Sequence, residues 1–184
     1  MANLTALVRK IATARNADVP WFDPASGGSH SRVLCLVESP GPKSARTSSG
    51  SGIISVDNDD QTAANSFRAM EEAGLQRNSA MNWNVVPWYL DTVRRPTSAE
   101  IRSAVPWLVE LLALLNDLRV VVLLGAAARE SWTLIQQQRQ VNLSTIKLLM
   151  APHPSPQSIN RDRTQRWPQL VGALREAASV AALP

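Results

Sequence analysis

The stretch "RVLCLVESPGPKSARTSSGSG" (Arg32–Gly52) decides the fold. Its first part, "RVLCLVE", is an unbroken apolar run without polar alternation, as expected of a strand covered on both faces. Its second part is dense in Pro, Gly and Ser, so the chain leaves that strand into a long, turn-rich loop. Loops of this length inside compact domains are usually functional. A strand covered on both faces requires helices above and below it, and the flanking sequence supplies them.

Downstream, "DNDDQTAANSFRAMEEAGL" predicts a helix with acidic residues at its start, Ala64, Phe67 and Met70 along one face, and Gly74 at its end. "MNWNVVPWY" reads as a strand running into a loop. Thr97 and Glu100 are spaced as a capping box before "IRSAVPWLVELLALL", where Pro106 predicts a kink or a late start. The strand "LRVVVLLG", the helix "AAARESWTLIQQQRQ", the buried strand "TIKLLM" and the closing helix "TQRWPQLVGALREAASVAAL" follow. Upstream, Leu4, Leu7, Val8 and Ile11 recur at helical spacing before an irregular segment through "PWFDPASGGSHS". The alternation predicts a three-layer α/β/α domain around a four-stranded, mainly parallel sheet. Residues 1–184 read as a single domain, with 1–30 forming an N-terminal helix and irregular arm.

Four loops, each after a strand, converge on one sheet edge: residues 38–52, 84–96, 125–127 and 152–161. The last lies in "MAPHPSPQSINRDR" (Met150–Arg163), where three prolines surround His153. Proline fixes φ and removes donors, so this predicts a rigid, non-helical loop.

A chain of 184 residues with 45% hydrophobic content can build one core without disulfides or metal staples. The single cysteine, Cys35, lies inside an apolar run, and one thiol excludes both an intramolecular disulfide and a four-thiolate cluster. A net charge of +4 favours a polyanionic partner. No apolar run approaches the ~18 residues of a membrane span, and the amino terminus lacks signal-peptide order. A cytoplasmic protein without a membrane partner is the expectation. "DNDD" (Asp57–Asp60) reads as helix caps rather than a metal site, and His30 has no Cys or His at ligand spacing. No metal and no cofactor is expected.

"VESPGPKSAR", "NWNVVPWY", "VVLLGAAA" and "HPSPQSINR", in that order and each at a strand end, resemble the motifs of the uracil-DNA glycosylase superfamily. The resemblance covers roughly residues 33–166. It implies a monofunctional glycosylase that flips uracil out of DNA and excises it hydrolytically in base excision repair, without a cofactor. His153 would donate to the charge developing on uracil O2. Asn84 would read the base edge, its amide matching both N3–H and O4; Asn82, two residues earlier on the same strand face, is the alternative. Val85, Val86 and Pro87 would form the shoulder behind it.

The family places an aromatic side chain on the base after its first motif. "SGIISVDN" has none, so Ile53 or Ile54 would pack there, unless Trp88 and Tyr89 contribute. The best-known branch holds the attacking water with an aspartate at the Ser39 position. The branch with an iron–sulfur cluster has a glutamate at the Glu38 position, and that cluster is excluded by the single cysteine. Three options stay open: Glu38, which would also border the uracil, Ser39, or neither. Phosphate contacts are expected from Pro42, Lys43, the "SSGSG" segment, Gly125 with Ala126 and Ser155, while Arg161 would reach a phosphate or the widowed base. Gln157 stands where many relatives insert a leucine wedge, so the wedge is polar or passes to Ile159. "RDRTQR" is either a solvated face or an electrostatic DNA contact. The implied partner is uracil-containing DNA, single- or double-stranded, with free uracil as product and a monomeric enzyme. Two rivals remain: the same fold with a preference for hypoxanthine or xanthine, and a non-catalytic protein that binds uracil-containing DNA.

Overall fold

A computed structural model describes residues 2–46, 50–90, 92–138 and 144–183. The chain starts with α1 (Ala2–Arg15), which buries Leu4, Leu7, Val8 and Ile11 as their spacing predicts. It continues through β1 (Trp21–Phe22), β2 (Val33–Val37), β3 (Ile53–Ile54), α2 (Gln61–Ala73), β4 (Ala80–Asn84) and α3 (Ser98–Leu114). The second half comprises β5 (Val120–Leu124), α4 (Ala126–Gln138), β6 (Lys147–Ala151), the single turn α5 (Pro156–Ile159) and α6 (Arg163–Ala181).

The main sheet has the order β4-β2-β5-β6 with every pair parallel. Strand alternation sends Leu34 and Leu36 to one face, against Leu4, Ile11, Ile101 and Trp132 from α1, α3 and α4. Val33 and Cys35 go to the other, against Met70, Leu170 and Leu174 from α2 and α6. Burial pushes the Cys35 thiol up to about 12, so it packs as a small apolar group. Below the first face, the Trp83 ring stacks on Phe22 at 3.9 Å.

Register turns this sheet into a platform. Val37 pairs with Asn84, Leu36 with Leu123, and Leu124 with Ala151, so all four strands end level. Glu38, Asn84, Gly125 and His153 therefore leave a common edge. From β2 the chain crosses to β4 on one side and later to β5 on the other, which opens a crevice at the switch point above β2 and β5.

Local signals hold at several ends. Asp60 caps α2 through the amides of Thr62 and Ala63, and Gly74 closes it at φ 70°. Thr97 and Glu100 form a reciprocal capping box on α3. Arg94 and this box hold the Glu100 carboxyl down at about 2.

Elsewhere the structure differs from expectation. In α2 the buried residues are Ala63, Asn65, Ala69, Met70 and Ala73, while Phe67 is 40% exposed. Asn65 faces inward, and a residue two positions on lies about 200° round a helix, so Phe67 faces outward. The strand expected to be buried, β6, is an edge strand with Met150 exposed, because only β5 pairs with it. Helix α3 runs through Pro106 from Ser98, so no late start occurs. The arm read as irregular contains β1, which pairs in parallel with β3. Of the "DNDD" run only Asp60 caps; Asp57 pairs with Arg77 at 2.6 Å and Asp59 lies 3.8 Å from Lys43. The loop read as non-helical contains α5, because Pro156 at its first turn is preset for helix entry and Ser155 caps it.

Candidate active site

The four loops surround a cleft of about 1310 Å³ at the carboxyl edge of the sheet. Its floor is set by strand ends and its walls by the loops, so each side chain can be traced to the element that places it.

His153 stands two residues beyond the end of β6. The Ser155 amide donates to its Nδ1 at 3.1 Å. That bond requires a bare Nδ1, so the neutral ring carries its proton on Nε2. Burial pulls the imidazole down to about 4, which keeps it neutral at physiological pH. Gly125 makes this placement possible. It has φ +96°, and a Cβ built on it would lie 3.1 Å from the His153 Cβ and 3.7 Å from Glu38 Oε1. His153 and Glu38 thus crowd the same hydrogen of Gly125. The Gly125 amide donates to Ala151 at 3.0 Å, so the phosphate contact expected there cannot use that donor.

Glu38 follows β2, half-buried at the crevice. Burial raises its carboxyl above the ordinary range, partly opposed by the Arg95 guanidinium, which is itself tethered to Glu130 at 3.3 Å. Ser39 borders the cleft beside it.

Asn84 ends β4 and is 2% exposed, and its buried Oδ1 has no hydrogen-bond partner among the described residues. An unsatisfied buried acceptor is costly unless a ligand completes it. Asn82 also borders the cleft but is less deeply buried. Val85 and Val86 are buried behind Asn84, their amides bonded to the carbonyls of Val37 and Glu38.

Strand alternation turns the two isoleucines to opposite faces of the β1–β3 ribbon. Ile54, 6% exposed, borders the cleft with Val56; Ile53 does not, because it points to the other face of the β1–β3 ribbon. Trp88 and Tyr89 do not reach the cleft, and Trp88 lies instead under the Arg15 guanidinium. Among the described residues no aromatic side chain lines the cleft.

Around the mouth, Lys43, Arg94, Arg95, Arg129, Arg161 and Arg166 face three carboxylates, Glu38, Asp60 and Glu176. The balance suits a polyanion. Pro42 and Lys43 lie in one turn, Pro42 exposed and Lys43 half-buried. Ser155 accepts the Ser158 amide through Oγ, which leaves its hydroxyl proton free to donate. Gln157 is exposed on α5 and Arg161 is exposed just beyond it. Ile159 is fully buried against the α6 face, which removes it as a wedge. Within "SSGSG", Ser51 turns its hydroxyl to Asn58 at 2.6 Å; Ser48 and Ser49 lie outside the described residues. Of "RDRTQR", Asp162 caps α6, and Arg166 bonds Ser158 at 3.1 Å.

Several residues that shape the site escaped the sequence reading. Asn58 donates to Ser44 Oγ and the Ile53 carbonyl, closing the neck of the first loop. Asp18, on the N-terminal arm, accepts both the amide and Nε of Arg46 at 2.6 Å. Asn65 reaches across to the His153 loop.

A family model for the uracil DNA glycosylase superfamily matches residues 24–174. The chain belongs to this superfamily. A search of curated proteins gives no match. Superfamily membership makes the protein a DNA glycosylase in general terms, a DNA-binding hydrolase of the bond between base and sugar, and the α/β/α fold with its all-parallel sheet agrees with that family.

Proposed function

We propose that the protein excises uracil from DNA as a monofunctional glycosylase in base excision repair. The observation that carries this reading is the pairing of a buried Asn84 amide whose Oδ1 has no partner among the described residues with an imidazole whose proton is confined to Nε2. Asn84 Oδ1 accepts from uracil N3–H while its Nδ2 donates to O4; cytosine offers the reverse pattern and is rejected. Ile54 and Val56 supply an apolar face for the flipped base.

In the reaction the C1′–N1 bond breaks and its electron pair leaves with the base. His153 Nε2–H stabilises the charge gathering on O2, and a fixed donor of this kind contributes several kcal/mol in a dry site. Water adds to the oxocarbenium-like C1′. The Glu38 carboxylate orients that water, opposes the sugar's positive charge and accepts its proton; the uracil anion is protonated from solvent. Ser39 has no group that can act as a base and serves the loop. Lys43, Ser155 and Arg161 hold phosphates, and Gln157 enters the gap left by the base.

Quantifying free base released from oligonucleotides that each carry uracil, hypoxanthine or xanthine tests the reading. Uracil is expected to be released fastest; faster release of either purine would overturn the specificity. Tight binding to uracil-containing DNA without release would make the protein a reader instead.

A further inference from the structure

We propose that Asn65 is a positioning residue for His153, fixing the imidazole through the backbone of the proline loop; this rests on His153 acting as the donor to the departing base. Asn65 lies in the middle of α2, 2% exposed, among apolar neighbours where an amide is otherwise unfavourable. Its Nδ2 donates to the Pro154 carbonyl at 2.7 Å, 89 residues away in sequence. Its Oδ1 accepts from Gln61 Nε2 at 3.1 Å, one turn earlier on the same helix, which determines the orientation of the amide.

The loop needs such an anchor. Pro152, Pro154 and Pro156 have no N–H, so the segment after Ala151 cannot extend the β6 ladder or start α5 early. Proline restricts φ but leaves the loop free to tilt as a body about the end of β6. Asn65 restrains that tilt at the peptide carbonyl next to His153, while the Ser155 amide restrains the ring itself. One bond sets where the imidazole sits and the other sets which nitrogen carries its proton. Displacements of about 1 Å at a reacting group can cost a hundredfold in rate.

Single-turnover release of uracil by Asn65→Ala tests this, with His153→Ala alongside. Asn65→Ala is expected to lower the release rate between about ten- and a hundredfold while the Kd for uracil-containing DNA changes less than about threefold. The imidazole nitrogen chemical shifts, which need no turnover, are expected to keep the Nε2–H pattern that Ser155 sets but to move and broaden in the variant as the loop samples more than one tilt. An unchanged rate and unchanged shifts in folded Asn65→Ala would reduce Asn65 to packing. Should that variant fail to fold, Gln61→Ala removes the restraint on the amide from the exposed side of α2; because Gln61 also borders the cleft, its release rate is read beside its Kd for uracil-containing DNA, which is expected to be unchanged. This variant is expected to lower release by a few-fold, and an unchanged rate would equally overturn the proposal. If His153→Ala leaves release unchanged, the catalytic reading itself fails; if His153→Ala slows release and the Asn65 variant does not, only the positioning claim fails.

Discussion

The Ser155 amide donates to His153 Nδ1 at 3.1 Å, and this bond leaves Nε2 as the proton-bearing nitrogen. A neutral donor has an advantage over a cationic one here. It stabilises a developing anion without drawing counter-charges into the cleft, and it stays in the same form across physiological pH.

The pH dependence follows from two groups displaced in opposite directions. Burial pulls the His153 imidazole down to about 4 and raises the Glu38 carboxyl above its ordinary range. Release is expected to fall on the acid side as Glu38 protonates, and Glu38→Gln is expected to be slower and to lose that limb. Stability carries a separate signature. Between pH 6.5 and about 4 the unfolded chain binds a proton that the folded imidazole refuses, so acidification through this window destabilises the fold. Glu38 acts in the opposite sense, and comparing wild type with His153→Ala by urea unfolding cancels it. The wild type is expected to lose more stability across the window than the variant.

Asn84→Asp keeps the shape of the reader but removes its Nδ2 donor. Uracil release is expected to drop by at least about tenfold, since a site built to hydrogen-bond its substrate suffers when a partner is lost. Release from uracil and cytosine oligonucleotides measures the change in selectivity. An unchanged preference would make Asn84 structural and turn attention to Asn82.

Gly125→Ala combines two penalties, a positive φ and a methyl 3.1 Å from the His153 Cβ. The variant is expected to be destabilised by about 1–3 kcal/mol and to release uracil more slowly, because the methyl displaces the proline loop. Thermal unfolding and single-turnover release together check this. A wild-type Tm with full activity would mean that the close approach is incidental.

The layers and the sheet were legible because their signals are local. Unbroken apolar runs such as Val33–Val37 mark strands covered on both faces, and Thr97 with Glu100 or Asp60 with Gly74 marks helix ends within a few residues. The convergence of Glu38, Asn84, Gly125 and His153 was legible too, since parallel strands bring successive strand-end loops to one edge. What escaped depends on distant parts of the chain. Ile54 rather than Ile53 faces the cleft because β3 pairs with a two-residue strand too short to show a period. Met150 is exposed because strand order, not composition, puts β6 at an edge. Phe67 and Ile159 exchanged their expected environments through the rotation of α2 and the unforeseen turn of α5. Asn65 and Asn58 act through side-chain bonds to loop backbone and hydroxyl groups, which leave no periodic trace in the sequence.

The central claim is that this cleft breaks the bond between uracil and deoxyribose with His153 as the donor. It is tested most directly by alkali-revealed strand cleavage of an oligonucleotide carrying one uracil, for wild type and His153→Ala side by side. The account predicts cleavage by the wild type and a loss of more than about tenfold in the variant, with DNA affinity nearly intact. Equal cleavage by both proteins, or binding by the wild type with no cleavage, would contradict it.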